Sequence, residues 1–356
     1  MSDFYRVLLP LLGLLLSALP GGARGEFVDV LDLPSSSSAL AERAPLNDVA
    51  HSGDRLVAVG QRGHILYSGA NGEQWQQARV PVSSDLAAVY FPSRRAGWAV
   101  GHDGVILHSD DAGVSWSKQL DGRQIGALML QHYTALAAAE PASEEWASRL
   151  VEAQRMVEEG ADKALLDVWF ANDQLGYAVG VFGLILRTDD GGRRWQPFGE
   201  HTDNPQGLHL NAIAAVDGVP YIVGEQGLLL RWDAVQQRFI ALQTPYSGSF
   251  FGVIGQGSEL LVYGLRGHVL RSTDAGVSWS ALDSGLQSSI TAAVLDDAGR
   301  YHLFSQAGHM LLSTEDGSAL ERLPQSTLEP ITGAEFSSDQ ELVLVGSRGM
   351  RSQRLP

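Results

Sequence analysis

Residues Ser109–Trp116 read SDDAGVSW, and the same arrangement returns as TDDGGRRW at Thr188–Trp195 and as STDAGVSW at Ser272–Trp279. The shared box is Ser/Thr-x-Asp-x-Gly-x-x-Trp. Its members are Ser109, Asp111, Gly113 and Trp116, then Thr188, Asp190, Gly192 and Trp195, then Ser272, Asp274, Gly276 and Trp279. Upstream of each box stands a Gly-x-x-Gly pair, which recurs at Gly60/Gly63, Gly101/Gly104, Gly180/Gly183, Gly224/Gly227, Gly264/Gly267 and Gly346/Gly349. A seventh copy, Ser305/Gly308, lacks the first glycine. Twelve residues after the second glycine comes a large apolar residue wherever the chain is long enough: Trp75, Trp116, Trp195, Phe239, Trp279 and Leu320. The steps between copies are 41, 79, 44, 40, 41 and 41 residues. The long step is an ordinary one plus an insertion of about one repeat length.

Each unit reads as four short strands. In the second copy these are Leu86–Phe91, Gly97–Gly101, Gly104–Ser109 and a strand starting at Trp116. β-branched and aromatic residues fill the segments, and glycine and aspartate separate them. A four-stranded meander repeated every ~40 residues is the signature of a propeller blade. The expected fold is therefore all-β: a seven-bladed β-propeller of four-stranded antiparallel blades, forming one domain over residues 26–356. The last copy is one strand short, ending in MRSQRLP after Gly349. FVDVLDLP (Phe27–Pro34) resembles fourth strands elsewhere, so the N-terminal strand is expected to complete the seventh blade. Such closure removes exposed sheet edges.

Glycine in the box can take positive φ without steric cost. Serine, threonine and aspartate can bond backbone N–H groups of a turn, and tryptophan can bury a large surface. Asp111, Asp190 and Asp274 repeat at equivalent places around a ring, whereas a glycoside hydrolase needs two carboxylates within roughly 5–10 Å. The box is thus expected to be structural. The alternatives are a sialidase-like glycoside hydrolase and a glycan-binding propeller. A sialidase carries an arginine triad, a tyrosine–glutamate nucleophile pair and an Arg-Ile-Pro near its start. Only Glu42-Arg43-Ala44-Pro45 comes near that tripeptide.

Chain direction alternates strand by strand, so the Gly-x-x-Gly turns and the blade-to-blade connections should share one face, opposite the boxes. The middle residues of the turns vary. Three copies read Gly-x-Arg-Gly, presenting Arg62, Arg266 and Arg348, with Arg351 close behind and His102 and Asp103 in the second copy. The blade order makes Arg62 and Arg348 neighbours. Guanidinium groups on an acidic protein suit a carboxylate-bearing partner. The insertion, residues 122–164, reads as a helical hairpin on the same face. Ile125, Met129, Tyr133 and Leu136 form one stripe; Ser143 caps a second helix with Trp146, Leu150, Ala153 and Val157 as its stripe.

The 356 residues carry a net charge of −16 with only two lysines, Lys118 and Lys163. Such a surface does not suit nucleic acid or an anionic lipid surface. With no cysteine, a disulfide, a thiolate metal site and a lipobox-type covalent lipid anchor are excluded. Histidines show no metal-ligand spacing, and no phosphate loop is visible, so no metal or cofactor is expected. Arg6, the apolar run Val7–Leu19 and Ala23-Arg24-Gly25 read as a secretory signal peptide over residues 1–25. The alternative is a retained membrane anchor.

GHDGVILHSDDAGVSW (Gly101–Trp116), GVFGLILRTDDGGRRW (Gly180–Trp195) and GLRGHVLRSTDAGVSW (Gly264–Trp279) resemble the photosystem II stability and assembly factor family and its bacterial relatives. The resemblance extends over nearly all the chain after the signal, outside residues 122–164. It implies a non-enzymatic scaffold in the periplasm, or in the thylakoid lumen of a photosynthetic host. The client it implies is a membrane protein or an envelope transport or assembly complex. It also implies an arginine patch, which Arg62, Arg266 and Arg348 match.

Overall fold

The computed structural model describes residues 28–355, apart from 70, 71, 326 and 339. The signal-peptide reading over residues 1–25 and the strand start at Phe27 lie outside the described residues. Seven antiparallel sheets follow one another along the chain, spanning residues 46–77, 86–120, 165–197, 210–241, 250–282, 290–323 and 333–354. Six are four-stranded meanders. The seventh has three strands, Gly333–Ser338, Glu341–Gly346 and Gly349–Arg354. The architecture is all-β and propeller-like, with two α-helices among the described residues.

The second strand of each sheet is the most deeply buried. Gly97–Gly101 and Gly176–Gly180 are buried at every residue. A strand covered on both faces needs a continuous apolar run rather than alternation, and GWAVG and GYAVG supply it. Apolar clusters fill the spaces between successive sheets. Trp116, opening the fourth strand of the second sheet, sits among Val57, Val59 and Leu86.

The first strands of successive sheets lie side by side, and Gly333–Ser338 of the seventh lies beside Leu46–Ser52 of the first. Polar side chains stitch these neighbours together. Asn47 Nδ2 donates to the Leu86 carbonyl (2.7 Å), Asn211 Nδ2 to Phe250 (2.8 Å) and Thr291 Oγ1 to Ile331 (2.6 Å). Thr332 Oγ1 donates to Leu46 in the same manner (2.8 Å). The seventh and first sheets therefore meet through the link used at other junctions.

The expected closing strand is corrected by the structure. Val28–Pro34 is turn and coil, and it lies against the first and second sheets. Asp29 starts a turn: its carboxylate accepts from Leu31 N and its carbonyl from Asp32 N, both at 2.9 Å. Aspartate stabilises such local turns at the expense of a strand ladder. Leu31 is then buried in the apolar space between the first two sheets, and Val30 accepts from Ser83 N. The segment crosses the first sheet's Gly-x-x-Gly turn, where Ser35 Oγ donates to the Arg62 carbonyl. It reaches a short 3-10 turn at Ala41–Arg43 and enters the first strand at Leu46.

The insertion forms two helices, α1 (Gly122–Ala139) and α2 (Glu144–Glu159). Asp121 caps α1 in a reciprocal box with Gln124, and Ser143 Oγ accepts from Trp146 N at α2. Ile125, Tyr133 and Ala153 are buried as expected. Val157 is not: it stands 46% exposed, and Met156 packs inward in its place. Gly126 of α1, lacking a side chain, lets α1 approach the Met156 and Val157 backbone there.

Candidate partner-binding face

The Gly-x-x-Gly turns are built by close approach. A Cβ on Gly60, Gly101, Gly180, Gly224, Gly264 or Gly346 would meet the carbonyl oxygen of the incoming connection at 2.0–2.2 Å. At the first five, the next residue donates its N–H to that same carbonyl, as Val181 does to Ala164. The second glycine takes positive φ and in most copies rests on the outgoing connection, as Gly63 does on Val82. Turns and connections thus share one face, as chain alternation requires. The boxes lie with the loops between first and second strands, where Ala112 N donates to Arg95.

The third residue of the turn is pushed outward in left-handed backbone: Arg62 (φ 57), Asp103 (58), Phe182 (55), Gln226 (54) and Arg266 (57). Arg348 departs from this series. Gly346 pairs directly with Gly349 in a two-residue hairpin, and Arg348 is not among the residues in left-handed backbone. Arg348 and Arg351 share Glu329, at 3.2 and 3.4 Å. Arg62 and Arg266 are exposed on the first and fifth sheets and form no ion pair among the described residues. Asp103 is committed to packing, its carbonyl lying against Gly122 at the start of α1; His102 beside it is exposed. The structure thus joins Arg348 with Arg351, and sets Arg62, Arg266 and His102 on other sheets of the face.

Sequence reasoning did not single out Phe182. It is 63% exposed, its ring edge-on to His209 and 5.6 Å from Lys163 Nζ. The available signal was the one aromatic among the seven residues at this position, five of the others being polar and the sixth Ala307. Phe182 borders a groove of about 980 Å³ between α2 and the third sheet, with Tyr133, Trp146, Arg149 and Glu200 on its walls. Both lysines flank the insertion. Lys118 donates to Asp121 and the Leu31 carbonyl, each at 2.8 Å, while Lys163 pairs with Glu159 and Asp162. Arg123 bridges Asp121 and Asp32, tying the N-terminal segment to α1. The Arg123 guanidinium holds the Asp32 carboxyl down at about 2.

On the opposite side the box aspartates are spent on their own turns. Asp111 accepts from Ser109 Oγ (2.9 Å), Ser115 N (2.9 Å) and Ser115 Oγ (2.6 Å). Asp190 accepts from Thr188 Oγ1 and Arg194 N, and Asp274 from Ser272 Oγ, Ser278 N and Ser278 Oγ. The Ser278 and Ser272 bonds hold Asp274 at about 2. In the sixth copy Thr314 Oγ1 donates to Asp316, so a degraded box keeps its turn.

A central channel of about 690 Å³ is lined by the first strands. Asp48 and Asp167 face it, each receiving a backbone N–H from the next sheet, Val89 and Ile213 respectively. Burial pushes Asp48 up to about 6 and Asp167 to about 7. Among the described residues no group of three His, Asp or Glu side chains is placed to hold a metal ion.

The model of the photosynthesis system II assembly factor YCF48 family matches residues 146–322. That stretch starts within α2 and covers just under half the chain, less than the span of the sequence resemblance. The photosystem II assembly lipoprotein Ycf48 of Synechococcus sp. (strain CC9902) is 25% identical over 164 residues, 45% of this chain. The chain spans about half the length of that curated relative, 49% of it. Among solved structures, YCF48 bound to D1 peptide superposes with a TM-score of 0.64 at 16% identity, over 88% of this chain and 94% of that one. YCF48 from Cyanidioschyzon merolae gives 0.64 at 17%, over 88% and 96%. The WD40 propeller domain of Doa1 gives 0.61 at 10%, over 90% and 95%. At these identities the likeness establishes a propeller-like fold.

Proposed function

We propose, from the chain's place in the photosystem II assembly-factor-like family, that it is an exported, non-enzymatic scaffold. In this reading it holds a membrane-protein client, or a component of an envelope complex, through the face of Gly-x-x-Gly turns and helices. The observation that carries the reading is the side chain each turn pushes outward. Left-handed backbone costs a non-glycine residue about 1 kcal/mol or more, yet Arg62, Phe182 and Arg266 stand there exposed. Arginine and aromatic residues are the commonest anchors of protein interfaces. YCF48 has been solved with a D1 peptide bound, which supports a protein client for a chain of the same fold. The place of action is the periplasm, or the lumen of a photosynthetic host. The boxes act as fasteners of the opposite side. The matched relatives are assembly factors, which favours this reading over the glycoside hydrolase.

The test is client capture from detergent-solubilised envelope. Arg62→Glu with Arg266→Glu should abolish capture while the melting temperature stays within about 2 °C, since exposed substitutions typically cost under about 0.5 kcal/mol. Full capture by that variant would sink the proposal. Turnover of a fluorogenic sialoside or glucan would favour the hydrolase instead.

A further inference from the structure

Among the described residues the seventh sheet ends on an edge that no strand covers; the Ala41–Arg43 turn packs at its Gly349 end. In other sheets the third strand hands its outward carbonyls to a fourth: Ala78 N donates to Ile65, Phe198 N to Ile185 and Leu242 N to Leu229. Among the described residues no strand pairs with the outer side of Gly349–Arg354. Which groups face outward follows from the register. Thr332 N donates to the Val345 carbonyl, so Val345 spends its backbone groups on the first-strand side. At the other end Leu355 N donates to Gln340, turning Leu355 inward. The pairs Val345–Met350, Val343–Ser352 and Glu341–Arg354 are therefore the non-hydrogen-bonded ones. Met350, Ser352 and Arg354 turn their N–H and C=O groups to the open side.

We infer that this edge is a docking site for an extended, acidic segment of a protein partner, which adds as the fourth strand of the seventh sheet. Charge selects the occupant. Residues 348–354 carry Arg348, Arg351 and Arg354 and no acid, on a chain of net charge −16. Arg348 and Arg354 are exposed, and the one carboxylate paired with Arg348 is already shared with Arg351. A second copy of this chain is disfavoured, because antiparallel pairing of two such strands brings like charges together. The Val28–Pro34 segment is held on the first two sheets by Leu31 and on α1 by Asp32. Backbone pairing would supply affinity, and the arginines the choice of partner. The inference rests on the scaffold reading only in supposing a protein partner; the edge is independent of the Arg62 and Arg266 turns.

The probe is a fluorescein-labelled synthetic peptide, Trp-Glu-Val-Glu-Val-Glu-Val-Glu, titrated against the full chain and read by anisotropy and amide hydrogen exchange. Because the peptide is synthetic, its binding is measured whether or not the Arg62 and Arg266 variants lose their client. The peptide should bind and slow exchange of the Ser352 and Arg354 amides at least about tenfold, the factor equivalent to one or two net hydrogen bonds. N-methylation of its pairing amides, or lysine for glutamate throughout, should weaken binding by about tenfold or more. Ser352→Pro should do the same without lowering the melting temperature, because its N–H takes no part in the existing ladder and proline is tolerated on edges. Three results would each overturn the inference. One is no binding; another is equal binding of the N-methylated peptide. The third is Ser352 and Arg354 amides already protected in the free protein, which would show the edge covered by the chain itself.

Discussion

Asp274 shows what a single residue of the repeat does. Three hydrogen bonds from its own turn favour the charged carboxylate and hold it at about 2, below its ordinary 3.8. The stabilisation is present above about pH 4 and is lost as pH falls through about 2, because there the folded state must take up the proton it has resisted. Thermal melts of the wild type and Asp274→Asn from pH 2 to 7 should show a gap at neutral pH that closes at the acid end. A pH-independent gap would refute this role. Gly180 tests the opposite device, close approach rather than bonding. Gly180→Ala would drive a Cβ to 2.2 Å from the Ala164 carbonyl, so chemical denaturation should show a loss of about 1–3 kcal/mol. These residues were legible in the sequence because each recurs in several copies. Phe182 was not, because a position that varies between copies carries no periodic signal.

The inserted hairpin is an element whose helices, second cap and most inward residues follow from the 3.6-residue spacing and from Ser143. Its anchoring did not follow. Lys118, Asp121, Arg123 and Asp32 come from three segments, and nothing in the spacing joins residue 32 to residue 123. Burial alone would raise Asp121, yet the bonds from Arg123 and Lys118 hold it below its ordinary value. Asp121→Ala removes a helix cap and leaves two cations without their shared partner. It should cost about 1–3 kcal/mol by denaturation and should expose the Asp32–Leu40 stretch to limited proteolysis. Unchanged proteolysis would show that Leu31 burial alone holds the segment. The same element explains the misreading of Phe27–Pro34. An aromatic and alternating apolar residues suggested a strand, but Asp29 turns the chain locally and Leu31 finds a buried site between the first two sheets.

At the scale of the molecule, seven repeats were legible because a fixed spacing survives erosion of the box. How the last repeat meets the first was not, because it depends on contacts such as Thr332 to Leu46 and His51 to Phe336 and on where an unrepeated N-terminal segment finds its partners. The first strands, lying side by side, also line the channel, with a consequence for stability. Asp167 is raised to about 7 by burial. Between about pH 4 and 7 the folded chain holds a proton that the unfolded chain has lost, so this group's contribution makes stability fall as pH rises through that window. Asp167→Asn should flatten the fall in melting temperature between pH 5 and 8, and an unaltered slope would remove Asp167 from the account.

The claim on which the function depends is that one face grips a client and the other does not. Photo-reactive benzoylphenylalanine placed in the producing cell at Phe182, on the turn face, and at Val277, 81% exposed in a box turn, tests it directly. The account predicts a crosslink to an integral membrane protein from position 182 and none from position 277. Adducts from 277 alone, or none from 182 under conditions where the client is captured, would contradict it.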